Sequence, residues 1–169
     1  MLHGEQGESL KKAIAFQVEV GRFFGAQRLV PITNAHVMGD IEVMGDAGFG
    51  FLEGFAARKA QCRVPTDSNA RCMHFDDGIE CLRPDPAEEG KERRVVSMLR
   101  DMRIATTDTC INYQTVYQPK LGEHVAWGDT GTVIYANSVF GARTNYEGGF
   151  SSFAAAMTGR TPAYGFHLE

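Results

Sequence analysis

The chain has 169 residues, of which 43 % are hydrophobic, and a formal net charge of -4 at pH 7. This length and apolar content suit one domain with its own core. The acidic balance excludes a basic footprint for nucleic acid, and the apolar residues at the start of the chain are interrupted every few positions by charges, unlike a signal-peptide core or a spanning helix. We therefore expect a soluble, cytoplasmic protein that binds neither nucleic acid nor membrane.

The first half of the chain predicts a βαβ unit. Residues 5–24 form an amphipathic helix pattern that Gly25 ends. "RLVPIT" (28–33) predicts a short strand, and "NAHVMGDIEVMGD" (34–46) a polar loop before a helix that Asp46 caps and that runs to about residue 59. "CRVPT" (62–66) predicts a second strand. Strand, helix and strand in this order are typical of a layered α/β fold.

The second half begins with an irregular surface excursion over about 67–90. Its Cys72, His74, Asp76 and Asp77 could be drawn as a metal cluster, but a solvated loop is the simpler interpretation. A helix over 91–102 follows, then a strand in "IATTDTC" (104–110) that delivers Cys110. The chain thus returns to the predicted sheet before its last segments.

Two further helices are predicted near the end of the chain. Asp129 or Thr130 caps the segment "TVIYANSVFGA" (132–142), which we interpret as a helix although its β-branched residues also suit a strand. "SSFAAAMTGR" (151–160) predicts a helix with Ser151 or Ser152 as cap and Gly159 as stop. The abrupt end at "TPAYGFHLE" suggests part of something longer.

The cysteines lie at positions 62, 72, 81 and 110, without a C-x-x-C pair. This spacing indicates neither a zinc ribbon nor a disulfide scaffold, so a metal site would have to be assembled from distant segments. Nucleotide-binding glycine motifs and a G-x-S-x-G elbow are absent. A hydrolase using Cys110 with His36 or His124 would need a third, orienting group that the sequence does not identify.

Four polar stretches adjoin apolar runs: "TNAHV" (33–37), "TTDTCINYQT" (106–115), "GEHVAWGDTG" (122–131) and "ANSVFGARTNYEGG" (136–149). Taken singly, each has a simple structural explanation: a hydrogen-bonded histidine, a small buried thiol, a solvated turn and a glycine turn. Taken together, they predict a site for a small anion, because such a site uses an arginine fork, amide side chains and glycines.

The same stretches, with "GDAGFGFLEGFA", "RVPT" and "AAAMTGRTPAYGFHL", resemble in order the catalytic large portion of aconitase X. The resemblance covers nearly the whole chain and is weakest over residues 67–103. It implies an aconitase-like layered α/β domain, incomplete here, with residues 1–169 forming part of the catalytic domain.

The resemblance implies a hydro-lyase in which an iron–sulfur cluster or a mononuclear iron acts as a Lewis acid. Cys110 matches the family's "TC" motif and is the expected metal ligand. One cysteine cannot hold a cluster, so the other ligands are expected from a later part of the large portion, and a small swivel domain is the expected partner.

The expected reaction removes water from cis-3-hydroxy-L-proline and gives Δ1-pyrroline-2-carboxylate. Arg143 is the expected carboxylate clamp because its planar fork can donate two parallel bonds. The other expected site residues fall into two groups. Those for substrate binding are Thr66, Asn137, Ser138, Thr144 and Asn145, and those for proton transfer or hydroxyl binding are His36, Tyr113 and Glu123.

Two alternatives stay open beside this interpretation. One is the mevalonate 5-phosphate dehydratase branch of the family, whose pattern has Glu-Ser where this chain has Asp129 and Thr130. The other is a non-catalytic, truncated α/β subunit that needs a partner.

Overall fold

The computed structural model describes residues 1–73 and 85–168 as a mixed α/β fold. Its strands are β1 (Leu29–Pro31), β2 (Ala35–Val37), β3 (Thr66–Ser68), β4 (Ala126–Trp127) and β5 (Arg160–Pro162). Its helices are α1 (Glu8–Phe23), α2 (Ile41–Ala56), α3 (Pro86–Asp101), α4 (Asn112–Thr115), α5 (Thr130–Tyr135) and α6 (Gly148–Thr158). A π-helical turn (Ala136–Phe140) extends α5, and a 3-10 turn (Gly165–His167) follows β5. Within the described ranges, no helix is both long and apolar enough to cross a membrane.

The central sheet is parallel, with strand order β3-β2-β4. Single parallel bridges extend it on both sides, from Asp67 to Ala105 and from Trp127 to Tyr146. β2, α2 and β3 form a βαβ unit, but neither strand is the predicted one. β2 lies in the segment that we predicted as a loop. β3 shares only Thr66 with the predicted strand over 62–66 and continues into the predicted surface excursion, where Asp67 and Ser68 are buried. The predicted strand at 28–33 instead pairs antiparallel with β5 in a separate two-stranded sheet.

Helix α2 begins before the predicted cap at Asp46. The Asp40 side chain accepts a hydrogen bond from the Val43 amide at 2.9 Å, which satisfies a free donor of the first turn. Gly45 then interrupts the helix with φ 58° and ψ -167°. This kink explains the error, because the regular helical pattern resumes only at Asp46.

Three predicted elements in the second half of the chain differ from the observed ones in where they begin or in how far they extend. α3 begins at Pro86 with Asp85 as its cap, not at residue 91, and the predicted strand over 104–110 keeps only the bridge at Ala105. α6 begins at Gly148, so the predicted caps Ser151 and Ser152 lie inside the helix.

Two predictions about helix ends are confirmed. Asp129 caps α5, its side chain accepting from the Gly131 amide at 2.9 Å, so the segment after it is helical. Gly159 ends α6 with a left-handed φ of 67°, which a glycine adopts without strain.

The two faces of the parallel sheet are covered differently. Small residues allow α6 to pack closely on one face, where Ala35 and Ala126 lie in one cluster with Ala155 and Ala156. On the other face Trp127 is fully buried and packs with residues of α5 and with the rings of nearby tyrosines. The helices therefore leave the ends of the strands as the place where polar side chains can meet.

Candidate functional site

The segments that follow the parallel strands meet at one side of the sheet, which we call the carboxyl edge: residues 38–40 after β2, 69–72 after β3, 106–110 after the bridge at Ala105, and 128–129 after β4. In open α/β sheets, ligands bind outside the carboxyl ends of the strands. This edge is therefore the first place to look for a site.

Asn69 connects two of these segments. Its side-chain oxygen accepts from the Gly39 amide at 2.9 Å, and its amide nitrogen donates to Asp40 Oδ2 at 2.6 Å. Both side chains are buried, so these bonds hold the turns after β2 and β3 in a fixed relation. The carboxyl edge is thus organised before any ligand binds.

Cys110 lies half-buried at the same edge. Burial raises the pKa of its thiol, a hydrogen bond at the backbone of Ala70 lowers it, and the nearby carboxylates of Asp129 and Asp40 raise it again. Without a cation the thiol keeps its proton, whereas a bound metal ion would favour the thiolate. The acidic surroundings of Cys110 therefore suit a metal ligand better than an activated nucleophile.

A buried histidine–aspartate pair lies in the sheet below this edge. His36 on β2 faces Asp67 on β3, with Nδ1 and Oδ1 2.5 Å apart, and both side chains are almost fully buried. Asn112, two residues after Cys110, reaches the other Asp67 oxygen at 3.5 Å. Within the part of the chain that the structure describes, the Nε2 atom of His36 has no hydrogen-bond partner, which is costly for a buried polar atom.

Arg143 and Glu123 lie on the opposite, amino edge of the sheet. The backbone of Arg143 forms a parallel β-bridge with His124, which precedes β4. The Arg143 guanidinium donates to the Leu168 carbonyl at 3.3 Å. Glu123 accepts from the Tyr117 hydroxyl and from the Lys120 amide. The structure therefore does not bring the expected carboxylate clamp next to Cys110.

The remaining expected substrate residues are engaged in local structure. Asn137 donates to the carbonyls of Val133 and Thr144. Thr144 Oγ1 accepts from the Trp127 amide at 3.1 Å, and the Asn145 side-chain amide donates to the Tyr164 carbonyl at 3.0 Å. Thr66 also makes a local hydrogen bond, to the Val64 carbonyl. Ser138 is exposed.

The carboxyl edge thus gathers part of the expected set and adds residues that the sequence did not single out. Of the expected residues, Cys110 lies there, with His36 beneath it and Tyr113 on the adjoining helix α4, stacked on Tyr135 at 4.1 Å. Asp40 and Asn69 were missed. The signal that could have found them is their position directly after two short apolar strands.

The thiols of the described residues fit one position of an iron centre and not a whole cluster. Cys62 packs in the hydrophobic core, where burial raises its pKa to about 12. Cys72 is half-buried near Asp40 and Glu42. Residues 74–84 lie outside the described part of the chain. They include His74, Asp76 and Asp77 of the metal cluster considered in the sequence analysis, and also Cys81.

The fold and the site define a layered α/β domain whose parallel sheet carries a thiol, carboxylates and an amide at its carboxyl edge, above a buried His–Asp pair. The sequence model of the aconitase X first domain matches residues 1–169. The chain belongs to the aconitase X family.

Relatives with two different enzyme names match this chain over nearly its whole length. The phosphomevalonate dehydratase large subunit of Thermococcus kodakarensis is 41 % identical over 170 residues, which are 100 % of this chain and 42 % of that protein. The cis-3-hydroxy-L-proline dehydratase of Pseudomonas aeruginosa is 33 % identical over 173 residues, 100 % of this chain and 29 % of that protein. The chain therefore spans less than half of the length of these relatives.

A solved structure agrees with the fold. The crystal structure of Thermococcus kodakaraensis aconitase X in its holo-form superposes with a TM-score of 0.88 at 41 % identity, covering 99 % of this chain and 41 % of that chain. The resemblance noted from the sequence is thereby confirmed. The higher identity to the phosphomevalonate enzymes runs against the branch that the motifs suggested.

Proposed function

We propose that this chain is the first part of the large subunit of a hydro-lyase that removes water from a small hydroxy acid bound at the carboxyl edge. The observation that carries the proposal is that Asp40, Cys110 and Asp129 all lie in segments that follow the parallel strands at that edge, in a chain whose relatives are dehydratases. The rest of the large portion and a small subunit would complete the site.

Cys110 would supply one ligand of an iron–sulfur or iron centre, because its thiol is accessible at the edge and carboxylates surround it. When bound, such a centre acts as a Lewis acid on the leaving hydroxyl. Further thiolates would come from the later part of the large subunit, since Cys62 is partly buried against the hydrophobic core and away from the carboxyl edge. Asn69 and Asp40 would fix the turns that shape this end of the cavity.

The His36–Asp67 pair would supply proton transfer or its orientation. Asp67 holds the Nδ1 side of the ring, so Nε2 is the atom left for exchange with a water or a substrate group. Asn112 links the pair to the segment that carries Cys110. Substitution of His36 or Asp67 should therefore lower turnover, and His36→Gln, which keeps a polar side chain, is the variant to compare with wild type.

Phosphomevalonate is the first candidate substrate, because the phosphomevalonate dehydratase subunits are 37–41 % identical to this chain and the hydroxyproline enzymes 31–33 %. One observation favours cis-3-hydroxy-L-proline as a second candidate. Asp40, Glu42 and Asp129 make the carboxyl edge acidic, which suits the ammonium group of an amino acid better than a phosphate dianion. A non-catalytic subunit remains the alternative outcome.

The test uses the assembled protein: this chain, the remaining large-subunit sequence and the small subunit. We expect dehydration of one of the two substrates, and a fall in kcat of about 100-fold or more in His36→Gln, with the exposed His3→Gln as matched control. Turnover of neither substrate would refute the dehydratase proposal. Arg143→Lys tests the predicted carboxylate clamp separately: intact turnover in that variant contradicts it, because a point charge does not replace the fork.

A further inference from the structure

An acidic pocket lies at the amino end of α2, beside the carboxyl edge. We define it by Asp40, Glu42, Cys72 and Glu92. One ligand atom from each of Asp40, Glu42 and Cys72 lies within 4.8 Å of the others. Glu92 lies beside this group from α3, because its carboxyl group accepts from the Ile41 amide and is a hydrogen-bond partner of Cys72. Four potential metal-binding side chains therefore converge from three separate segments.

Helix capping accounts for part of this arrangement. The Ile41 amide donates to Glu92 Oε2 at 2.9 Å, and the Val43 amide donates to Asp40 Oδ1 at 2.9 Å. A hydrogen bond at the backbone of Glu42 involves Cys72. The free amides of the first turn of α2 are thus satisfied, but capping uses only one oxygen of the Glu92 carboxyl group.

The other oxygen, Glu92 Oε1, is buried and has no hydrogen-bond partner among residues 1–73 and 85–168. Glu92 is 0 % exposed, and burial raises its pKa, with the charge of Asp40 adding to the effect. Arg71 offsets some of this charge, and it also pairs with Asp108 at 2.8 Å. Cys72 is a further hydrogen-bond partner of the Glu92 carboxyl group. A cation bound by both side chains would offset the cost of burying Oε1.

We propose that the acidic pocket binds one divalent transition-metal ion through Cys72, Glu92 and Asp40, with Glu42 closing the site from the surface. One thiolate and several carboxylates are a donor set for Zn²⁺ or a similar ion, whereas Mg²⁺ and Ca²⁺ prefer oxygen alone. Ligand atoms around Zn²⁺ lie about 3.5 Å apart. The exposed Glu42 side chain can close the remaining gap by changing its rotamer.

Binding would exchange one proton for the metal. The Cys72 thiol releases its proton to the solvent as the sulfur–metal bond forms, so no oxidant or reductant is needed. Cys110 does not belong to the pocket, whereas Asp40 belongs both to the pocket and to the carboxyl edge. The readout is metal binding and not turnover, so failure of this proposal is distinguishable from failure of the dehydratase proposal.

Titration of the full chain with Zn²⁺ by calorimetry tests the proposal. We expect one ion per chain and, from two buffers of different ionisation enthalpy, release of about one proton. Cys72→Ser and Glu92→Gln should each weaken binding about tenfold or more. Two matched controls should retain wild-type affinity: Cys62→Ala, which removes a core thiol, and Glu88→Gln, one turn before Glu92 on α3.

Cobalt identifies the thiol directly. Co²⁺ should give a thiolate-to-metal charge-transfer band in wild type and in Cys110→Ser, and no such band in Cys72→Ser. Loss of the band in Cys110→Ser would overturn the proposal, as would absence of Zn²⁺ binding or binding that neither pocket variant weakens. Because Cys72 is half-exposed, its serine variant should keep the fold, which circular dichroism checks independently of Glu92→Gln.

Discussion

Removal of the Asp67 carboxylate should destabilise the chain strongly, because it leaves a buried histidine without partners. Asp67 is 1 % exposed and His36 is 0 % exposed. The His36 ring forms a hydrogen bond to Asp67 through Nδ1, at 2.5 Å. Its Nε2 atom has no hydrogen-bond partner among the described residues. Asp67→Ala would therefore bury both ring nitrogens unpaired.

The magnitude follows from this geometry. A hydrogen bond to a charged group contributes about 1.5–3 kcal/mol, and removing one partner of a buried pair costs about 3–5 kcal/mol. We expect about 3 kcal/mol for Asp67→Ala, or a fall in Tm of about 6–12 °C. Asp67→Asn keeps an oxygen that accepts from Nδ1, so its cost should be about 1 kcal/mol.

Urea unfolding of wild type, Asp67→Ala, His36→Ala and the double variant measures the coupling between the two residues. We expect a coupling energy near the upper end of the range for contacting residues, about 2–3 kcal/mol. A coupling below about 0.5 kcal/mol, or equal losses in Asp67→Ala and Asp67→Asn, would refute the reasoning that the pair is held by its hydrogen bond.

Three further predictions concern other parts of the chain. Burial and then the charge of His167 lower the pKa of His124 from 6.5. The unfolded chain therefore binds more protons than the folded chain, and the free energy of unfolding should fall as pH drops below about 6.5. In His124→Gln, the urea midpoint should depend less on pH in this acidic range. Cys62, with its pKa raised to about 12, should be alkylated by iodoacetamide only on unfolding, as peptide mass spectrometry would show; labelling as fast as that of Cys72 would contradict its burial. A Cβ on Gly128 would lie 2.6 Å from a backbone oxygen, so Gly128→Ala should lose about 1–3 kcal/mol, whereas Gly50→Ala, with open space around it, should gain up to about 1 kcal/mol in thermal unfolding.

The fold could be predicted from the sequence where local signals are strong. The cap at Asp129 and the stop at Gly159 are predicted correctly. A βαβ unit is present, but its strands are β2 and β3 and not the predicted segments 28–33 and 62–66. β2 was missed because its three residues are enclosed by polar Asn34 and Gly39, so that pairing with two neighbours, not local pattern, makes it a strand.

The candidate site could be predicted only in part for a similar reason. Cys110 could be proposed as a ligand from the sequence because its motif is local. Asp40 and Asn69 meet through strand pairing that brings atoms of residues 29 positions apart within 2.6 Å, and no spacing rule in the sequence shows this. Arg143 stays a predicted carboxylate clamp, and the parallel bridge with His124 places it at the amino edge.

The central proposal is that Cys110 at the carboxyl edge is a ligand of an iron–sulfur or iron centre. Iron and acid-labile sulfide should be measured in the assembled protein, purified without oxygen, for wild type, Cys110→Ser and the core control Cys62→Ala. We predict iron and sulfide in wild type and in Cys62→Ala, and their loss in Cys110→Ser. Equal iron and sulfide in Cys110→Ser, or none in any of the three, would contradict the account.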